Sequence, residues 1–138
     1  MKHLSILAIL LVSTIFIETS CRKQTVDPVT DNPAVIRKIQ FTLYTQNDFS
    51  DNNENITFEL FIQNSKNKIL LDSMLAPMKI KDIPDFTHKL VIEKTVPDND
   101  TSLLKVGFKY SIENVGNSWH LESFKAGEIF KLVDFSFQ

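Results

Sequence analysis

The chain is poor in the residues that most chemistry and most cross-linking would use. Among 138 residues there is one cysteine, Cys21, so no intrachain disulfide can form. Three glycines and five prolines argue against a low-complexity or disordered chain. Formal net charge is −2, and no block of basic residues appears, so nucleic acid is not an indicated partner. Past the first twenty residues there are two histidines, His88 and His120, and neither lies in an H-x-H or H-E-x-x-H spacing. No G-x-S-x-G elbow is present. An enzyme is therefore not expected, and a small hydrolase built on His88 or His120 is the least favoured alternative.

What is present begins with an address. Lys2 gives a positive start, Leu4–Ile17 is an apolar run, and Glu18-Thr19-Ser20 leads into Cys21. A basic start, an apolar stretch and small residues before a cut form a secretory signal. The run is shorter than the ~20 residues a membrane span usually needs. Because the lone cysteine stands where the small residues end, residues 1–20 resemble a bacterial lipoprotein signal with its lipobox. Thr19 and Ser20 match the two small positions of that pattern, whereas Glu18 departs from its aliphatic one. The resemblance implies that Cys21 receives lipid and becomes the mature N-terminus. It also implies a bacterial envelope location, at the outer membrane or cell surface, with the membrane engaged through acyl chains on Cys21.

Residues 21–33 continue as a lipidated cysteine and tether, since Arg22–Pro33 has no apolar period and carries Pro28 and Pro33 among Asp, Thr and Asn. Residues 34–138 then read as one domain. Its pattern has period two, as half-buried strands require. Ile39, Phe41 and Leu43 alternate with polar neighbours; so do Ile56, Phe58, Leu60 and Ile62, and Leu104, Val106, Phe108, Tyr110 and Ile112. The last of these is expected at the centre of the core. Ile69–Leu75 and Lys89–Val96 read as strands, Met78–Phe86 as a crossover plugged by Ile80 and Ile83, and Ser118–Phe124 as a short strand. Ile129–Phe137 is apolar on both sides and is expected in the interior of a sheet. Polar turns separate these runs. Ten phenylalanines after the leader supply the core. The expectation is an all-β, two-sheet antiparallel β-sandwich of about seven or eight strands, with a β-barrel as alternative. The layout resembles immunoglobulin-like and transthyretin-like sandwiches, a likeness of architecture that carries no functional residues across.

Two candidate sites remain. Asp48, Asp51, Asn53 and Glu54 crowd one polar loop and offer hard oxygens of the kind calcium takes, without the register or glycine of an EF-hand. As a solvated turn the same residues need no ion. Trp119, Tyr44 and Phe49 are the aromatics from which a stacking platform for a sugar ring would be built. The sole tryptophan of a sandwich is nevertheless expected as a core anchor, with His120 on the opposite side of its strand. Asp72-Ser73-Met74 matches a short O-glycosylation pattern, and Asn55-Ile56-Thr57 and Asn99-Asp100-Thr101 fit N-x-[ST]; chance accounts for all three. The functional expectation is a non-catalytic binding or structural module for an envelope protein or glycan, with a calcium-stabilised adhesion-type module as alternative.

Overall fold

A computed structural model describes residues 35–138. The leader, Cys21 and the tether lie outside the described residues. Among the described residues, no helix is long and apolar enough to cross a membrane.

Eight strands form two packed sheets: β1 Lys38–Thr45, β2 Asn55–Asn64, β3 Ile69–Met74, β4 Met78–Lys79, β5 Leu90–Thr95, β6 Leu104–Ile112, β7 Gly116–Phe124 and β8 Phe130–Phe137. One sheet has the order β5-β1-β8. The other runs β3-β2-β6-β7, with β4 also on β2. No strand pairing joins the sheets, so the sandwich is open and the barrel alternative does not hold. The pairs are antiparallel except β1–β8, the first and last strands, which run parallel.

The period-two pattern explains the core directly. Ile39, Phe41 and Leu43 of β1 face Ile56, Phe58, Leu60 and Ile62 of β2 and Leu104, Val106 and Phe108 of β6, all buried. Phe108 meets Phe41 edge-on at 5.6 Å and Phe58 at 6.3 Å. Edge-to-face pairs of this kind are worth about 1 kcal/mol beyond the area they bury. Ile80, in the 3-10 turn Ile80–Asp82, and Ile83 plug the crossover end, as their spacing implies. The tight turns place Asn67, Asp98, Asn99 and Asn114 at positive φ, where asparagine and aspartate are tolerated best.

One strand departs from expectation. The apolar pattern of Ile129–Phe137 predicts an interior strand, yet β8 lies at the edge of the three-stranded sheet. Its second apolar side, Phe130 and Leu132, faces outward and stays exposed. Alternation shows that both sides are apolar, but not what covers them. The edge is guarded from within instead. Lys131 of β8 and Lys94 of β5 both pair with Ile39, so each edge strand carries an inward-facing lysine. An inward charge on an edge strand opposes pairing with another chain.

Two positions fix the backbone. Arg37, 1 % exposed, precedes β1 and gives all its donors to backbone oxygens. Nε donates to Glu128 (2.8 Å), Nη1 to Asp100 and Ser102 (both 2.8 Å), and Nη2 to Lys125 (2.7 Å) and Phe124 (3.5 Å). The guanidinium also lies 3.9 Å from the Phe124 ring centroid. Burial pushes its pKa down, opposed by the charges of Asp100 and Glu128. Gly107 of β6 sits where β7 approaches closely: a Cβ there would fall 2.0 Å from the His120 carbonyl oxygen. Gly107→Ala is expected to cost about 3 kcal/mol by forcing two backbones apart. Arg37→Met, which keeps the stem and leaves several carbonyls unpaired, is expected to cost on the order of 3 kcal/mol. Urea unfolding of each variant checks both values.

Candidate functional site

The outward side of the five-stranded sheet carries an ordered row of side chains beside a cleft. Strand register lines up Met74 (β3), Glu59 (β2), Lys109 (β6) and Trp119 (β7) as one cross-strand row. Below it, Phe61 pairs with Gly107, whose missing side chain makes room for the close approach of the β7 backbone at His120. Phe61 is buried although it points outward, and the Lys109 ammonium lies 3.6 Å from its ring centroid. The same ammonium is 3.1 Å from Glu59 Oε1, an ion pair without hydrogen-bond alignment, since that buried oxygen has no hydrogen-bond partner. Lys109 is thus held from two sides.

Trp119 stands beside it with 68 % of its surface exposed, and Met74 closes the row at 69 %. Between them lies a cleft of about 210 Å³, lined with Thr57, Glu59, Lys109, Ser111, Asn117 and Ser118 as well as the two apolar ends. The core position expected for the single tryptophan is therefore wrong. The interior is filled by phenylalanines from both sheets, and strand parity turns position 119 outward while Phe124, on the other parity, is buried. A flat indole, a thioether and a floor of hydroxyl, amide and charged groups can take a ligand with one apolar face and a polar rim.

The other side of β7 is fixed to the opposite sheet. His120 stacks on Phe135 at 4.7 Å and 16°. Its Nε2 is 3.3 Å from Glu122 Oε1, and Glu122 also pairs with Lys131 of β8. Burial opposes ionisation of Glu122, but the Lys131 and His120 hydrogen bonds and charges outweigh it and hold the carboxyl below its ordinary value of 4.5. Sequence parity puts His120 opposite Trp119, which the structure shows, but gives no sign of this link between sheets.

The other sequence-predicted residues do not join this surface. Tyr44 belongs to the three-stranded sheet and is buried; it meets Phe86 at 5.5 Å, lies under the Lys89 ammonium at 3.9 Å, and donates from its hydroxyl to Asp134 at 3.3 Å. Phe49 packs on Phe137 at 5.5 Å at the loop end of the core. A platform shared by Trp119, Tyr44 and Phe49 is thus excluded by their places in the fold. Asp48, Asp51, Asn53 and Glu54 do line one open depression, together with Glu113 and Asn114. Asp48 is turned to the backbone N–H of Ser50, which pulls its pKa down, and Asn52 accepts from Glu54 N–H. Among the described residues, no group of three or more His, Cys, Asp or Glu side chains is placed to hold a metal ion. Ser73 of the O-glycosylation pattern pairs with the buried Leu60 and is half-buried.

His88 does meet a carboxylate and a hydroxyl. Its Nδ1 is 3.1 Å from Asp85 and 2.9 Å from Thr87 Oγ1. Thr87 and His88 lie close enough in sequence for Asp85 to cap both backbone N–H groups. The Thr87 hydroxyl, then His88, then the Thr87 amide hold the Asp85 carboxyl far below its usual range. A nucleophile–base–orienter relay needs its two partners on opposite imidazole nitrogens. Here both share Nδ1 in an exposed turn, so the geometry is that of a capped turn.

Glu122 contributes stability through its charged form, because its folded pKa lies below the unfolded one. That contribution is present above the ordinary carboxylate range and is lost as pH falls through the folded pKa. The melting temperature is expected to drop on acidification from pH 6 to pH 3. In Glu122→Gln the drop is expected to be shallower, starting from a lower value at pH 7; scanning calorimetry across that range checks it.

Comparison with known proteins gives no match: no family model, no curated protein and no solved structure matches the chain.

Proposed function

We propose that this protein is an exported lipoprotein, held to the bacterial envelope membrane through Cys21, whose immunoglobulin-like sandwich is a non-catalytic module binding glycan on its Trp119 side. The observation that carries the reading is the exposed indole at the end of the Met74–Glu59–Lys109–Trp119 row, beside a cleft with a polar floor. Burying that indole in the core would have been the more stabilising use of an aromatic side chain. An aromatic face suits the apolar side of a pyranose, and the neighbouring hydroxyls, amide and charged pair suit its ring substituents. Lys109, fixed by Glu59 and Phe61, presents its donors without a large ordering cost on binding. The leader and lone cysteine support the address, and the sandwich supplies a rigid surface for the site.

A cleft of this volume accommodates about one ring. Roughly twelve non-hydrogen atoms at ~0.3 kcal/mol each give about 4 kcal/mol, a Kd near 1 mM per ring, so useful affinity would come from repeated units. Titration of Trp119 fluorescence with soluble oligosaccharides from envelope and capsular polysaccharides is expected to give saturable shifts for a subset. Trp119→Ala is expected to weaken retention on the immobilised polysaccharide at least about tenfold with an unchanged melting temperature. Saturation by none of the sugars, or retention unaffected by the substitution, discards the glycan reading. Independently, labelled palmitate is expected in the full chain and absent from Cys21→Ser; an unlabelled full chain discards the anchor.

A further inference from the structure

Exposed apolar side chains gather at one end of the sandwich, where the chain enters β1. Val35, Ile36, Leu103, Ile129 and Phe130 are all exposed there, and Leu132 continues the surface along β8. Backbone contacts make these one surface. Lys38 N–H donates to Ile129 O at 2.9 Å, Lys38 pairs with Phe130, and Gln40 pairs with Leu132. Arg37 Nη1 donates to Ser102 O, which brings Leu103 to the same end. Apolar residues scattered singly over a surface are ordinary, whereas a contiguous group of this size marks something that covers it.

Charge at this end is modestly positive. Lys38, Lys66, Lys68, Lys125 and the buried Arg37 stand among Asp98, Asp100 and Glu128, with Lys68 paired to Asp98 at 3.3 Å and Glu128 accepting from the Lys125 backbone N–H. Such a surface suits an apolar boundary lined by anionic headgroups. Cys21 stands fourteen positions before Val35, a separation of at most about 50 Å even if fully extended. An anchor at Cys21 therefore joins the domain at this end and holds it within that distance of the bilayer.

We propose that the Arg37 end of the sandwich seats on the lipid bilayer, with Ile36, Leu103, Ile129 and Phe130 reaching the headgroup–acyl boundary. The inference rests on the lipid-anchor reading for its proximity to membrane. The domain then stands with the Trp119 cleft on its flank, clear of the lipid.

The test uses the full lipidated chain reconstituted in phosphatidylethanolamine–phosphatidylglycerol vesicles, with and without shallowly brominated acyl chains. Phe130→Trp in a Trp119→Phe background reports the proposed end, and the chain with native Trp119 reports the flank. Bromine is expected to quench emission from position 130 by at least half and to leave Trp119 within a tenth of its value. Adding Ile36→Asp and Ile129→Asp is expected to restore most of the emission at position 130. Equal, unquenched emission at both positions overturns the proposal, as does a concentration-dependent dimer in which position 130 is shielded by a second copy instead of lipid. Palmitate on Cys21 is scored separately: label without quenching sinks the seat and spares the anchor, and quenching by added vesicles without label does the reverse.

Discussion

A single guanidinium ties together parts of the chain that are far apart in sequence. Arg37 reaches the backbone at Asp100 and Ser102, between β5 and β6, at Phe124, the last residue of β7, and at Lys125 and Glu128, between β7 and β8. Disulfides make such long-range ties in many small domains, and this chain has no second cysteine to make one. The planar fork of arginine serves because its five donors point in fixed directions toward carbonyls that would otherwise be unpaired at a buried end. Placing Arg37 also places the strand that starts beside it. Lys38 bonds to Ile129, so β1 and β8 start in register and Ile39, Phe41 and Leu43 turn into the core.

The two sheets leave different outer surfaces. On the three-stranded sheet, Tyr44, Phe86, Lys89 and Asp134 lie against one another, and Phe130 and Leu132 are exposed toward the Arg37 end. On the five-stranded sheet, Gly107 lets the β7 backbone approach closely beside a buried Phe61, and Met74 and Trp119 rise at either end of the row above. Glu122 and Lys131 connect the sheets behind Trp119, so the strand that presents the indole does not rest on one ladder of hydrogen bonds alone.

Alternation makes most of the fold legible, because a strand with one wet and one buried side writes its period into the residues. The core members of β1, β2 and β6 and the plugs Ile80 and Ile83 are readable in this way. Parity also places Trp119 and His120 on opposite sides of β7, but cannot say which side is inward, and the preference for a buried tryptophan points the wrong way. The same limit explains β8: both its sides are apolar, and nothing local tells an interior strand from an edge with an uncovered side. Arg37 is illegible for a different reason. Its partners are main-chain oxygens, which carry no side-chain signature, and they lie 63 to 91 positions away. The row through Glu59, Lys109 and Trp119 depends on register across three strands, which sequence periodicity leaves undetermined.

The parallel pairing of β1 with β8 has a bearing on how the chain comes to be folded at all. Eight backbone partnerships, from Lys38 with Phe130 to Thr45 with Phe137, join stretches separated by most of the domain, so the loop-closing entropy is lost before their contacts can offset it. Until Phe130–Phe137 is available, β1 lacks one neighbour. A nascent chain emerging in order therefore cannot complete its sandwich until its last strand has been made.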